Sequence, residues 1–97
     1  MSVLRNEIVY GKAFLSDVKE LPPFCQEKLA SLLEILREDP FAPQLHAKPL
    51  APPLQGWYSF RITRDYRVVF EFPIPHTIHL LFAGHRKDIY KRLGRSR

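Results

Sequence analysis

Cysteine is nearly missing from this chain: Cys25 is the only one in 97 residues. That excludes an internal disulfide framework and makes a reducing compartment the expectation. The opening MSVLRNEIVY lacks the apolar h-region of a secretory signal, and no stretch approaches the roughly 18 apolar residues of a membrane span. A cytoplasmic protein with no membrane partner is expected. Metal-ligand patterns are absent as well. Of four histidines, His76 and His79 are close, but no other nearby ligand completes a set, so neither metal nor cofactor is expected. Acidic residues are scarce in one half only. Residues 1–54 carry six Lys/Arg against seven Asp/Glu, whereas residues 55–97 carry nine against three, so the net +5 resolves into −1 and +6. Such asymmetry suits a polyanion or an acidic protein partner for the C-terminal half, or a well-solvated surface.

What is present reads as one domain over residues 1–97 with a modest core. Asn6 to Tyr10 is a short β-rich run stopped by Gly11. Phe14, Val18 and Leu21 then recur at i, i+4, i+7, a helical stripe ended by Pro22 and Pro23. Leu29, Leu32, Leu33 and Leu36 repeat the pattern in a second helix that ends at Glu38 to Pro40. Cys25 lies on the same stripe, as a packed small hydrophobe. Phe41 to Gln55 is irregular and proline-rich, long for a mere link. No internal repeat is visible.

Beyond it the period changes to two. Tyr58, Phe60 and Ile62 alternate with Trp57, Ser59, Arg61 and Thr63, then Tyr66, Val68, Phe70 and Phe72 with Arg67, Val69 and Glu71, which predicts two strands. For both apolar sets to share a face the turn must hold an odd number of residues, most simply Thr63, Arg64 and Asp65, so that Arg61 pairs with Arg67. Thr77 to His85 is a third strand, with Phe72 opposite Ile78. That register sets Ala83 opposite Arg67, with His85 diagonally beside it at roughly 7–8 Å. Arg61, Arg67 and His85 then converge on one face, where two facing arginines repel unless an anion sits between them.

Two segments, GWYSFRITRDYRVVFEF (Gly56 to Phe72) and GHRKDIY (Gly84 to Tyr90), resemble RelE/ParE-superfamily toxins of type II toxin–antitoxin modules. The first is similar to the strand pair of the RelE and YoeB branches, the second to the G-H-R-x-x-x-Y signature that ends many RelE-like toxins. The resemblance implies an α+β fold: two N-terminal helices packed on one face of a small, mainly antiparallel four-stranded sheet, with a short basic C-terminal tail or helix. It also implies a metal-independent endoribonuclease that cleaves mRNA on the ribosome, held in check by a cognate antitoxin whose acidic, partly disordered segment folds onto the basic half. Arg61 falls where RelE has a lysine and YoeB an arginine, and Arg67 matches the shared strand arginine. His85 matches the YoeB histidine, while Arg86 and Tyr90 match the RelE arginine and tyrosine. The chain departs from the pattern at Ser59, where RelE has a catalytic lysine, and at Lys48, about where YoeB has a glutamate base.

The chemistry asked of these residues is coherent. Attack by a 2′-OH on the adjacent phosphorus needs a base, an acid for the leaving 5′-oxygen and cations around the phosphorane. An imidazole such as His85 exchanges protons near neutral pH, and guanidinium forks at Arg61, Arg67 and Arg86 suit phosphate. Tyr90 would orient the nucleotide or relay a proton, and Trp57, if exposed, would stack on a base. Lys48, Ser59, Lys87, Lys91 and Arg92 complete the expected RNA contacts. Read without the resemblance, His85 also fits a strand end, Arg86 with Asp88 a surface ion pair, and Tyr90, Lys91, Arg92, Arg95 and Arg97 a nonspecific basic tail. Two further functions stay open: a ParE-like, non-enzymatic poison of DNA gyrase, and a catalytically degenerate antitoxin-binding module.

Overall fold

The computed structural model describes residues 5–52 and 54–95, with side chains up to residue 93. Its elements follow in the order β1 (Glu7–Tyr10), α1 (Lys12–Lys19), α2 (Pro23–Glu38), a single 3-10 turn (Pro43–Leu45), β2 (Lys48–Pro49), β3 (Trp57–Arg61), β4 (Tyr66–Glu71), β5 (Thr77–His85) and α3 (Arg86–Arg95). Pro23 opens α2, where a missing N–H is no loss. The α2 stripe of Cys25, Leu29, Leu32 and Leu36 is buried, as is Phe14 of α1. Together these pack on Phe60, Ile62, Val68, Phe70, Ile78, Leu80 and Ala83, so both N-terminal helices cover one face of the sheet.

The sheet has five strands in the order β1-β5-β4-β3-β2. The expected four-stranded count is corrected by β2, two residues inside the proline-rich segment that pair Lys48 with Ser59 and Pro49 with Tyr58. A strand this short within Ala and Pro residues leaves no periodic trace. β1 runs parallel to β5 and the other pairings are antiparallel. Reaching the parallel position demands a tight exit from β1. Gly11 provides it: its N–H donates to the Leu80 carbonyl at 2.9 Å, and a Cβ there would press into that same oxygen.

The three-residue turn at Thr63–Asp65 and the Arg61–Arg67 pairing are as predicted. The β4–β5 ladder is not uniform. Phe70 pairs with Leu80 and Glu71 with His79, in the expected register, but Val69 pairs with Phe82, Arg67 with Gly84 and Tyr66 with His85. Leu81 is therefore an extra residue, a β-bulge that shifts everything after it by one. Its mark is visible in the packing, because consecutive Leu81 and Phe82 both pack in one cluster, with Val69, Ile89 and Leu93. That cluster is a second, smaller core. It lies on the other face of the sheet and is closed by α3, which carries Ile89 and Leu93 at i, i+4. The C-terminal basic segment is thus a packed helix rather than a tail. Arg97 lies outside the described residues, as does the side chain of Arg95. Among the described residues no helix is long and apolar enough to cross a membrane.

Candidate active site

Arg61 and Arg67 face each other across β3 and β4 on the α3 side of the sheet. Arg67 is 5% exposed, yet its Nε and Nη1 have no hydrogen-bond partner among the described residues, and neither has Arg61 Nε. A buried guanidinium without an acid is expensive, and a second one across the rung adds repulsion. The two arginines line a cleft of about 500 Å³, together with Lys28 of α2, Gln44 and His46 around the 3-10 turn, Thr63 and Arg64 of the hairpin turn, and Arg86 at the start of α3. None of the described lining residues is a carboxylate. Asp65 reaches Arg86 from outside, Oδ1 to Nε at 3.8 Å, and its carbonyl accepts the Arg86 N–H at 2.7 Å, so the turn fixes where α3 begins. Five cationic side chains, Lys28, Arg61, Arg64, Arg67 and Arg86, therefore share one anion-sized space.

His85 is elsewhere. The bulge at Leu81 turns it to the face of α1 and α2, where its ring stacks edge-on against Tyr66 with centroids 5.4 Å apart. Its Nδ1 accepts the Lys87 N–H at 3.2 Å, which leaves Nε2 the donor in the neutral ring. His85 lines a smaller cavity of about 250 Å³ with Asp17, Glu20, Tyr66, Asp88 and Arg92. The expected convergence of Arg61, Arg67 and His85 on one face is corrected accordingly: the arginines share a cleft and the histidine faces acids instead.

The other expected residues divide in the same way. Lys48 is exposed on β2, opposite Ser59. Ser59 is 2% exposed and its Oγ has no partner among the described residues, so it lies beneath the surface rather than on it. Trp57 is half-buried, edge-on to Phe82 at 6.1 Å, and serves the second core instead of standing out as a stacking platform. Arg92 donates to Asp17 at 2.8 Å and lies 4.3 Å above the Phe82 ring. Tyr90, Lys87 and Lys91 are exposed on α3. Lys28, Gln44, His46 and Arg64 line the cleft without being among the expected site residues. Arg64 was visible as a turn cation, but nothing in the α2 stripe or the proline-rich segment marks Lys28 or His46 as neighbours of Arg67.

No protein-family model matches the sequence, and no curated protein does. Solved structures do match. A YoeB/ParE toxin from Agrobacterium tumefaciens superposes with a TM-score of 0.70 at 20% identity, over 82% of this chain and 98% of its own. The chain has the RelE/ParE toxin fold. The RelB–RelE antitoxin–toxin complex from Methanococcus jannaschii gives a TM-score of 0.71 at 22% identity, covering 87% of this chain and 96% of that one. The toxin–antitoxin complex RelBE2 from Mycobacterium tuberculosis gives 0.66 at 26% identity, covering 88% and 95%. Within this RelE-like fold the cationic cleft opens where the second helix, the turn before β2, the β3–β4 hairpin and the start of α3 meet.

Among the described residues no group of His, Cys, Asp and Glu is arranged to hold a metal ion. Burial pushes the Cys25 thiol up, opposed by the nearby Lys28 ammonium, so Cys25 is held as an unreactive thiol within the helix-side core.

Proposed function

We propose that this protein is the toxin of a type II toxin–antitoxin module and that it cleaves mRNA on the ribosome by attack of a 2′-OH on the neighbouring phosphorus. Arg61, Arg67 and Arg86 hold the scissile phosphate and stabilise the phosphorane, because guanidinium forks are bidentate and permanently charged. The observation that carries this reading is Arg67: nearly buried, opposite a second arginine, with Nε and Nη1 unpartnered beside an open cleft. A tetrahedral anion with several acceptor oxygens would satisfy both. The exposed face of α3 with Lys87, Tyr90 and Lys91 extends the contact along an RNA backbone.

The cleft offers charge in abundance but little that would align flexible RNA, so the ribosome supplies the alignment of 2′-OH with phosphorus that is worth up to about 7–11 kcal/mol in ideal geometry. Two of the solved relatives are complexes of a toxin with its antitoxin. By the same likeness an acidic partner folds onto this basic half and keeps it from RNA.

Primer extension on a translated message, with and without the protein, tests the assignment. Discrete codon-phased cuts ending in a 2′,3′-cyclic phosphate or 3′-phosphate and a 5′-OH are expected, with free RNA cut far more slowly. A 5′-phosphate at the cut, or equal rates on free and translated RNA, would overturn it. Inhibition of supercoiling with messages intact would select gyrase poisoning instead.

A further inference from the structure

We propose that His46 is the base of this cleft, the group that takes the proton from the attacking 2′-OH; the inference rests on the ribonuclease reading above. The base must be a lining side chain that can accept a proton. Arg61, Arg64, Arg67 and Arg86, from β3, the hairpin turn, β4 and α3, remain protonated and have no acceptor. Lys28, facing them from α2, is a donor while charged, and Gln44 and Thr63 do not titrate near neutral pH. Among the described lining residues that leaves His46, an imidazole of the kind that exchanges protons near neutrality.

The backbone at His46 also calls for a reason. The residue caps the 3-10 turn at φ 49, ψ 41, in the left-handed region that disfavours a side chain with a Cβ, and its N–H donates to the Pro43 carbonyl at 3.2 Å. Leu45, fully buried, roots the turn in the core, while His46 itself is exposed at the cleft. A glycine would relax this corner, so the imidazole is kept there against the backbone preference. His85 is placed to do none of this, since it faces Asp17, Glu20 and Tyr66 in the other cavity.

In the proposed step a ring nitrogen of His46 removes the 2′-OH proton as the O2′–P bond forms and the P–O5′ bond breaks. The leaving 5′-oxygen takes its proton from water, and the hydroxide so formed recovers the proton from the imidazolium. The products are a 2′,3′-cyclic phosphate and a 5′-OH, and the enzyme is returned unchanged.

Single-turnover cleavage on programmed ribosomes, followed from acid to neutral pH, tests the assignment with wild type, His46→Asn, His46→Ala and His85→Gln. Asn suits the left-handed corner. Binding of a non-cleavable 2′-deoxy message shows that the cleft of each variant is intact. His46→Asn should cut on the order of 10²–10⁴ slower, lose the rise in rate with pH, and bind the deoxy message as wild type does. Added imidazole should partly restore His46→Ala. A His46→Asn variant that cuts at the wild-type rate, or that keeps the rise with pH while His85→Gln loses it, would overturn the inference and leave the ribonuclease reading standing. A wild-type protein that cuts no message would remove both.

Discussion

Arg61 of β3 and Arg67 of β4 occupy one rung of the antiparallel ladder, side chain beside side chain, with Arg67 only 5% exposed and two of its nitrogens unpartnered. Stability alone would not place them so, because like charges directly opposite each other repel and a buried cation demands a partner. The arrangement is favourable once an anion bridges the pair.

The first prediction follows from that conflict. Arg67→Met should raise stability by about 1 kcal/mol, since burying an unpaired charge is less favourable than packing an apolar chain of similar length. Cleavage should fall by roughly 10²–10³ through lost charge stabilisation. Arg67→Lys should recover part of the activity, because the fork is lost and the charge kept. Urea unfolding alongside single-turnover rates checks both effects, and inorganic phosphate should raise the melting temperature of wild type but not of Arg67→Met at matched ionic strength. A less stable Arg67→Met would mean that the arginine is held by something other than a ligand.

A second prediction concerns Asp17. Its Oδ2 accepts the Ala83 N–H at 3.0 Å and Arg92 Nη1 at 2.8 Å, tying α1, β5 and α3 at one carboxylate. β1 pairs only with residues up to Leu80, so the Ala83 N–H has no strand beyond it and depends on this side chain. Asp17→Ala should cost about 2 kcal/mol, mostly from the N–H left without its acceptor. Hydrogen exchange at Ala83 should accelerate with it, and wild-type protection there would count against the clamp.

Gly11 supplies a third. A Cβ at this position meets the Leu80 carbonyl oxygen, part of the backbone and unable to swing aside. Gly11→Ala should therefore destabilise by about 1–3 kcal/mol, the range for overpacking, although alanine is otherwise compatible with its φ of −65°. A melting temperature equal to wild type would show that β1 and β5 can part at this point without loss.

Cys25 gives a dependence on pH. Burial pushes the thiol up while Lys28 opposes it, so the folded thiol ionises above the unfolded one, which does so near about 8.5. As pH climbs past that unfolded value the unfolded chain releases a proton that the folded chain keeps, and stability falls. Below it both states are protonated and the contribution is constant. Cys25→Ser should flatten the fall that sets in above the unfolded value, and iodoacetamide should label the native protein only as fast as it unfolds.

Much of the scaffold is legible in the residues. Two stripes, Phe14 to Leu21 and Cys25 to Leu36, announce their helices because an apolar face recurs every three or four positions, and the alternation from Trp57 to Phe72 fixes the hairpin down to the Arg61–Arg67 rung. β2 is not legible, since Lys48 and Pro49 are too few for a period. The bulge is not legible either. The sequence alternates evenly through Leu81, whereas both Leu81 and Phe82 are drawn to the α3 side by Val69, Ile89 and Leu93, a packing preference that only the folded helix creates. The cleft divides along this line: Arg61, Arg67 and Arg86 reach it from one hairpin and one motif that the sequence marks, while Lys28 and His46 enter from elements with no local tie to them.

The extra residue at Leu81 has a broader meaning for how such proteins diversify. A bulge of this kind absorbs one extra residue, so that every later side chain keeps its partner and its side of the sheet. His85 is thereby held opposite Tyr66 on the carboxylate-lined side, away from Arg67. Deleting Leu81 would make the ladder regular and leave Gly84 opposite Arg67 and His85 opposite Tyr66, so the strand can lose or gain this one residue without exchanging the groups that follow it.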